Sequence, residues 1–274
     1  MTDPTYQTAR PDHERDRLRR TFTQDAELYD RMRPGYPARM YDDLAAHAGV
    51  GPGCRVLEVG PGTGQATVPL AERGCRIVAV ELGAEQAQVA RRRLADHPGV
   101  DVVVADFEQW PLPPEPFDLL LAATSWHWID PHARVARAAA ALRPGGTLAT
   151  VFTHHIKGGT EEFFAASQAC YERYDPTTPP GITLRPASEI PYDGTELAAS
   201  AAFGAPTFHR YEWDATYTTD QYLDLISTYS GHRDLDAVAR AALYDCLAAL
   251  IDHRHGGRIT KRHLTELRLA RRLG

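Results

Sequence analysis

Val56-Leu-Glu-Val-Gly60-Pro-Gly62-Thr-Gly64-Gln65 is the stretch of sequence that decides the fold. It places a short apolar strand (55–59), a glycine-rich turn and the start of a helix (66–72) in immediate succession. Glycines let the backbone approach a ligand closely and adopt positive φ, and a helix that begins there offers free N–H groups. A tight structural turn would require the same glycines, so the turn alone leaves both interpretations open.

Two acidic residues follow the turn where a nucleoside would bind. Glu81 ends the second predicted strand, about 20 residues on, where a carboxylate can accept hydrogen bonds from both ribose hydroxyls. Asp106 follows the third predicted strand, where its carboxylate could bind an adenine amino group. Gln65 occupies the third-glycine position of the dinucleotide fingerprint. An NAD-dependent oxidoreductase is therefore disfavoured.

Strand and helix patterns alternate along the first half of the chain. The predicted strands lie at 55–59, 75–81, 100–105, 117–123 and 147–153, and the helices between them at 66–72, 84–96 and 131–142. This alternation indicates right-handed βαβ units and a parallel sheet. The alternation stops after residue 153, and we interpret 154–206 as an insertion.

Composition excludes several classes of protein. A net charge of −6 over 274 residues argues against a dedicated nucleic-acid binder. The four cysteines are widely spaced without a CxxC pair, which predicts small buried residues and neither zinc nor disulfides. The N-terminus carries no apolar leader, and no apolar run reaches the roughly 18 residues that span a bilayer, so we expect a cytoplasmic protein.

The order of these features resembles that of class I S-adenosylmethionine-dependent methyltransferases. The motifs that carry the resemblance are Glu58-Val-Gly60-Pro-Gly62-Thr-Gly64, Glu81, Ala105-Asp106-Phe107, Phe117-Asp-Leu-Leu-Leu121 and Leu142-Arg-Pro-Gly-Gly146. The segments Tyr29-Asp-Arg-Met-Arg33-Pro-Gly-Tyr36-Pro and Ser125-Trp-His127-Trp-Ile-Asp130 further resemble the small-molecule "type 11" branch, which includes relatives of trans-aconitate methyltransferase.

The resemblance implies an α/β fold with a doubly wound, mostly parallel seven-stranded sheet in the order 3-2-1-4-5-7-6. Its last strand would be antiparallel and lie at 263–271. The chain would then divide into an N-terminal arm and lid segment (1–38), a cofactor-binding core (39–153), an insertion over the substrate pocket (154–206) and a C-terminal part that completes the sheet (207–274).

The cofactor implied is S-adenosyl-L-methionine, and the glycine motif and its acids would hold its methionine and ribose parts. Gly60 and Gly62 would approach the methionine moiety within a motif that Gly64 completes. Glu58 would orient that end of the site, and Glu81 would bind the ribose.

The remaining implied contacts lie around the adenine ring and over the cofactor. Asp106 would bind the adenine amino group, and the Phe107 N–H would meet a ring nitrogen. The backbone near Thr124 would face the cofactor's amino group. Tyr29 and Arg33 would close over the cofactor from the N-terminal segment, although a structural tyrosine and a surface arginine would give the same pattern.

His127 is the candidate general base, because it follows the fourth strand and its ordinary pKa suits proton transfer near neutrality. A packing or hydrogen-bonding histidine is the alternative. Trp126 and Trp128 could wall the substrate pocket, or one of them could belong to the core. His154 is placed in the pocket, and strand alternation would then turn the next histidine away.

The substrate side otherwise gives few signals. The sequence 153–156 provides no carboxylate cluster, so no metal is expected. The aromatic-rich segment at 207–233 is expected to roof the pocket together with the insertion, and Lys261-Arg-His263 is interpreted as a solvated face.

The expected function is methyl transfer to O, N or C of a small molecule, including secondary metabolites. The alternative is a protein of this fold that binds the cofactor but catalyses another step, such as a cyclisation, or acts as a binding module. The glycine motif, Glu81 and Asp106 would be retained in either case. The substrate and the oligomeric state are not defined by the sequence.

Overall fold

The computed structural model describes residues 25–274. The predicted arm and the first part of the lid segment, residues 1–24, lie outside the described residues. The described strands form one seven-stranded sheet in the order β3-β2-β1-β4-β5-β7-β6. They are β1 (Arg55–Val59), β2 (Arg76–Glu81), β3 (Val100–Val104), β4 (Phe117–Ala123), β5 (Leu142–Gly159), β6 (Thr207–Thr218) and β7 (Arg258–Arg271).

Strands β1 to β5 pair in parallel, whereas β7 runs antiparallel to both β5 and β6. This confirms the predicted fold class, the strand order and the antiparallel last strand. The helices are α1 (Ala26–Met32), α2 (Ala38–Ala48), α3 (Thr67–Glu72), α4 (Ala84–Arg93), α5 (Arg134–Ala141), α6 (Glu161–Tyr174), α7 (Thr195–Ala198), α8 (Thr219–Ser227), α9 (Ser230–Asp234) and α10 (Ala237–His255). None of the described helices combines the length and apolar character needed to cross a membrane.

The central strands are buried on both faces, as expected for a parallel sheet covered by helices. Successive side chains of β1 enter different cores, because side chains alternate along a strand. Val56 packs in the core that includes Leu70 and Ala90, and Leu57 packs in the core that includes Phe117 and Ala138. The short apolar run of β1 therefore stabilises both layers.

A third core lies among α6, α8 and α10, over the half of the sheet that holds β6 and β7. Phe163, Tyr222 and Leu247 are fully buried there. The structure corrects one sequence expectation in this layer, since Cys170 of α6 and Cys246 of α10 form a disulfide. Their separation of 76 residues gave no spacing signal, because helix packing alone brings them together.

The long strands β5 and β7 differ from their predicted bounds. β5 continues to Gly159 instead of ending at 153, and β7 begins at Arg258 instead of 263. The two strands pair out to Ile156 with Arg262 and Gly159 with Lys261. Each added stretch holds one isoleucine, Ile156 or Ile259, among polar residues and glycines, so the sequence shows no run of alternating apolar residues there.

A buried ion triad links β6 and β7. Glu266 on β7 is fully buried and accepts hydrogen bonds from Arg210 Nε at 2.7 Å and from Arg268 Nε at 2.6 Å. Both arginine side chains are 14% exposed. The single carboxylate thus binds two guanidinium groups and balances one of their two charges, in a place where water does little to solvate them.

We expect Glu266→Ala to lower the free energy of unfolding by roughly 3–5 kcal/mol, because it leaves buried charges without compensation. Glu212→Ala is the matched control: Glu212 pairs with Arg262 on the surface, where side chains are 44% and 37% exposed. Its loss should cost at most about 1 kcal/mol. Denaturant unfolding of the two variants checks this, and equal losses would contradict the assigned role of the triad.

Candidate active site

A cavity of about 970 Å³ opens where the carboxyl ends of the central strands meet the helical layer. We call the part lined by Glu58, Gly60, Gly62, Glu81 and Asp106 the glycine-loop half. The part lined by His155, Trp213, Tyr229, Lys261 and His263 is called the β7 half. Ligands of open α/β sheets bind at this edge, near the point where the strand order reverses.

The glycine turn packs directly against the residue that follows Thr124. Gly60 has φ of 68°, and a Cβ there would lie 2.7 Å from Ser125 Cβ. Gly62 has φ of 61° and also lines the cavity. Gly64, with φ of 97°, is not among the residues of the cavity wall, and a Cβ there would lie 3.7 Å from Leu94, so its cofactor contact stays a prediction.

Glu81 connects the turn to the end of β2. Its two carboxylate oxygens accept hydrogen bonds from the N–H of Gly62 at 2.9 Å and of Gly83 at 2.8 Å. Burial raises the pKa of Glu81 above its ordinary value, and these N–H groups offset part of that rise. The carboxylate is fixed at the cavity wall, where ribose hydroxyls could reach its remaining lone pairs.

Asp106 and Phe107 form the wall beyond β3. Asp106 accepts a hydrogen bond from the Glu108 N–H at 3.0 Å, which orients its carboxylate. The Phe107 side chain is buried in the core, so this residue offers its backbone to the cavity. Both residues line the same cavity as Glu81.

Glu58 is the most buried acid of the glycine-loop half, with 1% of its surface exposed. Burial raises its pKa to about 7, the Thr67 hydroxyl beside it lowers the pKa, and the charge of Glu81 raises it further. Its Oε2 has no hydrogen bond of good geometry to any described residue. A carboxylate in this state is suited to a ligand ammonium group.

Thr124 adopts a left-handed backbone conformation, with φ of 58°, which is uncommon for a residue other than glycine. Its N–H donates to the Val151 carbonyl at 2.8 Å, and its hydroxyl lies 3.0 Å from the Tyr36 hydroxyl. These two bonds hold the strained backbone at the cavity wall. Such strain is commonly found at ligand-binding sites.

Tyr29 and Arg33 lie over the cavity, on α1 and just after it. The Tyr29 ring approaches to 3.5 Å from the position that a Cβ on Gly62 would take. The Arg33 guanidinium lies 5.0 Å from the Tyr29 ring centre and 4.5 Å from that of Tyr229, and it donates to the Thr228 hydroxyl. The arginine is therefore engaged with the cavity wall and is not a surface residue.

Trp126 and Trp128, in the segment after β4, take different positions. His127 and Trp128 line the cavity, with ring centres 4.8 Å apart. Trp126 is 3% exposed and donates from Nε1 to Glu196 at 2.9 Å. Of the two tryptophans, Trp126 therefore takes the core position that the sequence left open for one of them, and its predicted substrate contact is replaced by this core position.

Strand alternation on β5 places His155 in the cavity wall instead of the predicted His154. His154 is fully buried outside that wall. Lys261 and His263 also line the cavity and are 2% and 6% exposed, so the expectation of a solvated face there is wrong. Tyr229 was also not predicted as a site residue. It reaches the cavity wall because its segment packs against β7, which lies about 30 residues further along the chain.

Among residues 25–274, three side chains of metal-ligand type come together outside the cavity wall. They are Asp43, His47 and His209, with ligand atoms within 4.8 Å of one another. Asp43 accepts a hydrogen bond from the Tyr211 hydroxyl. His209 Nδ1 lies 3.7 Å from Asp43 Oδ2. The prediction that no metal binds was based on residues 153–156 and not on these three residues.

Comparisons with known proteins agree with this geometry. Residues 57–150 match a family model described as a methyltransferase domain. A proposed Type II methyltransferase from Anaeromyxobacter dehalogenans has a TM-score of 0.59 and 25% identity, over 88% of this chain and 98% of that chain. Over residues 57–150 the chain therefore carries a methyltransferase domain. The sheet order and the glycine turn described above are those of this domain.

The relatives are matched over part of their length. An uncharacterised methyltransferase of Mycobacterium tuberculosis is 39% identical to this chain over 132 residues, which are 48% of this chain and 51% of that protein. A phosphoethanolamine N-methyltransferase of Haemonchus contortus shares the fold, with a TM-score of 0.53 and 16% identity, over 93% of this chain and 60% of that chain. The chain spans about half the length of the first curated relatives that it matches.

Glu58 should make the stability of the ligand-free domain depend on pH. Because burial raises its pKa from 4.5 to about 7, the ionised carboxylate destabilises the folded state as the pH rises through this range. Glu58→Gln should therefore raise the free energy of unfolding by about 2–3 kcal/mol at pH 8. The gain should shrink as the pH falls toward 5.

Denaturant unfolding at several pH values measures this difference. Glu72→Gln, at an exposed position of α3, is the control and should show no such trend. A Glu58→Gln effect that is the same at every pH would contradict the raised pKa.

Proposed function

We propose that the protein is an S-adenosylmethionine-dependent methyltransferase that methylates O, N or C of a small-molecule metabolite. The observation that carries the proposal is Glu58, a buried carboxylate at the cavity wall with an oxygen that lacks a good partner among the described residues. It lies beside a glycine turn that has no room for a side chain at Gly60.

The residues of the glycine-loop half fit S-adenosyl-L-methionine. Glu58 would hold its ammonium group, and Glu81 would accept hydrogen bonds from the ribose hydroxyls. Asp106 would accept from the adenine amino group, while the Phe107 N–H would donate to a ring nitrogen. When bound, this cofactor supplies a methyl group attached to a positively charged sulfur.

The chain's own contribution is mainly orientation. Tyr29 and Arg33 cover the glycine-loop half, and Trp128 walls the side next to His127. Holding two reactants in the reactive geometry can contribute roughly 7–11 kcal/mol to the lowering of the barrier. His127 would accept a proton only where the methylated atom has one to lose.

The size of the cavity favours a small-molecule substrate. Its volume of about 970 Å³ is in the range of small-molecule sites, and residues 175–185 and 229–239 contribute to its walls. The net charge of −6 offers no general attraction for a nucleic acid.

The test of the proposal has two parts, binding and transfer. Calorimetry should detect binding of S-adenosylmethionine and of its demethylated product, and no binding of NAD. Incubation with methyl-labelled cofactor and a metabolite extract should then produce a labelled small molecule. Cofactor binding with conversion of a substrate to an unlabelled product would instead support a non-methylating activity such as a cyclisation.

Glu81→Gln should weaken cofactor binding by roughly 10- to 150-fold, because hydrogen bonds to a charged group contribute about 1.5–3 kcal/mol. Glu85→Gln, at an exposed position of α4, is the matched control and should bind normally. Calorimetry on both folded variants measures the dissociation constants. Equal constants for Glu81→Gln and the unchanged protein would remove Glu81 from the site.

His127→Ala should lower the rate of methyl transfer by about 10²–10⁴-fold if the histidine acts as a general base, with cofactor affinity little changed. Single-turnover transfer at saturating substrate across a range of pH measures the rate. The rate of the unchanged enzyme should rise through one ionisation, which the variant loses. A variant rate within about threefold of the unchanged enzyme would leave His127 with packing or orientation only.

A further inference from the structure

Lys261 is a charged side chain buried at the wall of the β7 half. The sequence contains two lysines, and Lys261 is 2% exposed whereas the side chain of Lys157 is 56% exposed. Its Nζ donates a hydrogen bond to the Tyr229 hydroxyl at 3.2 Å. Within the described part of the chain, no carboxylate lies at ion-pair distance from this ammonium group. A buried ammonium in this position is costly unless a ligand compensates it.

The two histidines beside Lys261 supply no negative charge. His263 follows two positions later on the same face of β7, and it pairs across the sheet with His155. Burial and the charge of Lys261 lower the pKa of His263 to about 3, and the same two causes place the pKa of His155 well below its ordinary value. Both histidines are therefore neutral near pH 7 and can hydrogen-bond a ligand without repelling it.

Two acids at the rim of this half are bound to their own turns. Asp175 accepts hydrogen bonds from the N–H and the hydroxyl of Thr177 and from the hydroxyl of Thr178. Asp236 caps α10 by accepting from the N–H groups of Val238 and Ala239. Neither carboxylate is placed as a partner of Lys261.

We propose that the β7 half binds a carboxylate group of the substrate, which Lys261 and Tyr229 hold at the end of the cavity away from the glycine turn. The proposal rests on the proposed function, since it names a feature of the substrate of that site. The carboxylate is an anchor and not the methyl acceptor. Arg33, which contacts both Tyr29 and Tyr229, connects this anchor to the glycine-loop half.

The donors present match one carboxylate. Lys261 supplies a single fixed charge and has further N–H groups beyond the one that Tyr229 accepts. The Tyr229 hydroxyl accepts from Lys261 and so can donate its own proton to a carboxylate oxygen. Trp213 stacks on His263 with ring centres 4.5 Å apart, which provides a flat apolar wall beside the anchor.

Benzoate is the probe, because it combines one carboxylate with a flat ring, and benzamide is its uncharged counterpart. Calorimetry and thermal unfolding are measured with each compound, with and without saturating S-adenosylhomocysteine. We expect benzoate to bind in both conditions and benzamide to bind at least tenfold more weakly. Binding of S-adenosylhomocysteine without any preference for benzoate would overturn this inference and leave the proposed function intact. Benzoate binding without S-adenosylhomocysteine binding would contradict the proposed function and leave the carboxylate site in place.

Lys261→Met keeps the length of the side chain and removes its charge. It should weaken benzoate binding tenfold or more and raise the unfolding temperature of the ligand-free protein. Lys157→Met, on the other lysine, is the matched control and should change neither quantity. Tyr229→Phe should weaken benzoate binding by a smaller factor. If it strengthens binding instead, Tyr229 is itself the negative partner of Lys261, and the proposal is wrong.

Discussion

The close contact between the glycine turn after β1 and the residues after β4 is the constraint on which the site depends. A side chain at Gly60 would collide with Ser125, and the Ser125 hydroxyl donates to the Val59 carbonyl, so the two loops are held together by packing and by a hydrogen bond. The contact lies where the strand order reverses between β1 and β4. It fixes Glu58 on one side and Thr124 on the other, and the remaining walls of the glycine-loop half are built outward from these two positions.

The cavity separates buried charge of opposite sign. Glu58 and Glu81 lie in the glycine-loop half, where burial raises the pKa of both carboxyl groups. Lys261 lies in the β7 half without a carboxylate partner among the described residues. The triad of Glu266 with Arg210 and Arg268 shows that the same sheet places opposite charges in direct contact outside the cavity wall. Charge left uncompensated at both ends of one cavity reduces stability, which is the cost expected of a site shaped for ligands with complementary charge.

The parts of the site that could be predicted from the sequence are those determined by neighbours along the chain. The glycine turn, Glu81 and Asp106 each lie at or just beyond the carboxyl end of a strand, so their positions are fixed once the parallel sheet is recognised. His155 could not be chosen over its neighbour without the register of β5 on β7. Lys261 lies in a polar stretch whose composition is typical of an exposed surface. It is buried because helices pack over this end of β7, which the local sequence does not indicate.

Arg33 shows why the two halves of the cavity cannot be considered separately. Its guanidinium lies between the rings of Tyr29 and Tyr229, and its donors bind the hydroxyl and the carbonyl of Thr228. Tyr29 covers the glycine turn, whereas Tyr229 accepts a hydrogen bond from Lys261. Although burial would raise the pKa of Tyr229, the charges of Lys261 and Arg33 hold it below its ordinary value. Any movement of the segment after α1 that opens the glycine-loop half must therefore also change the electrostatic environment of the β7 half, because one side chain forms part of both walls.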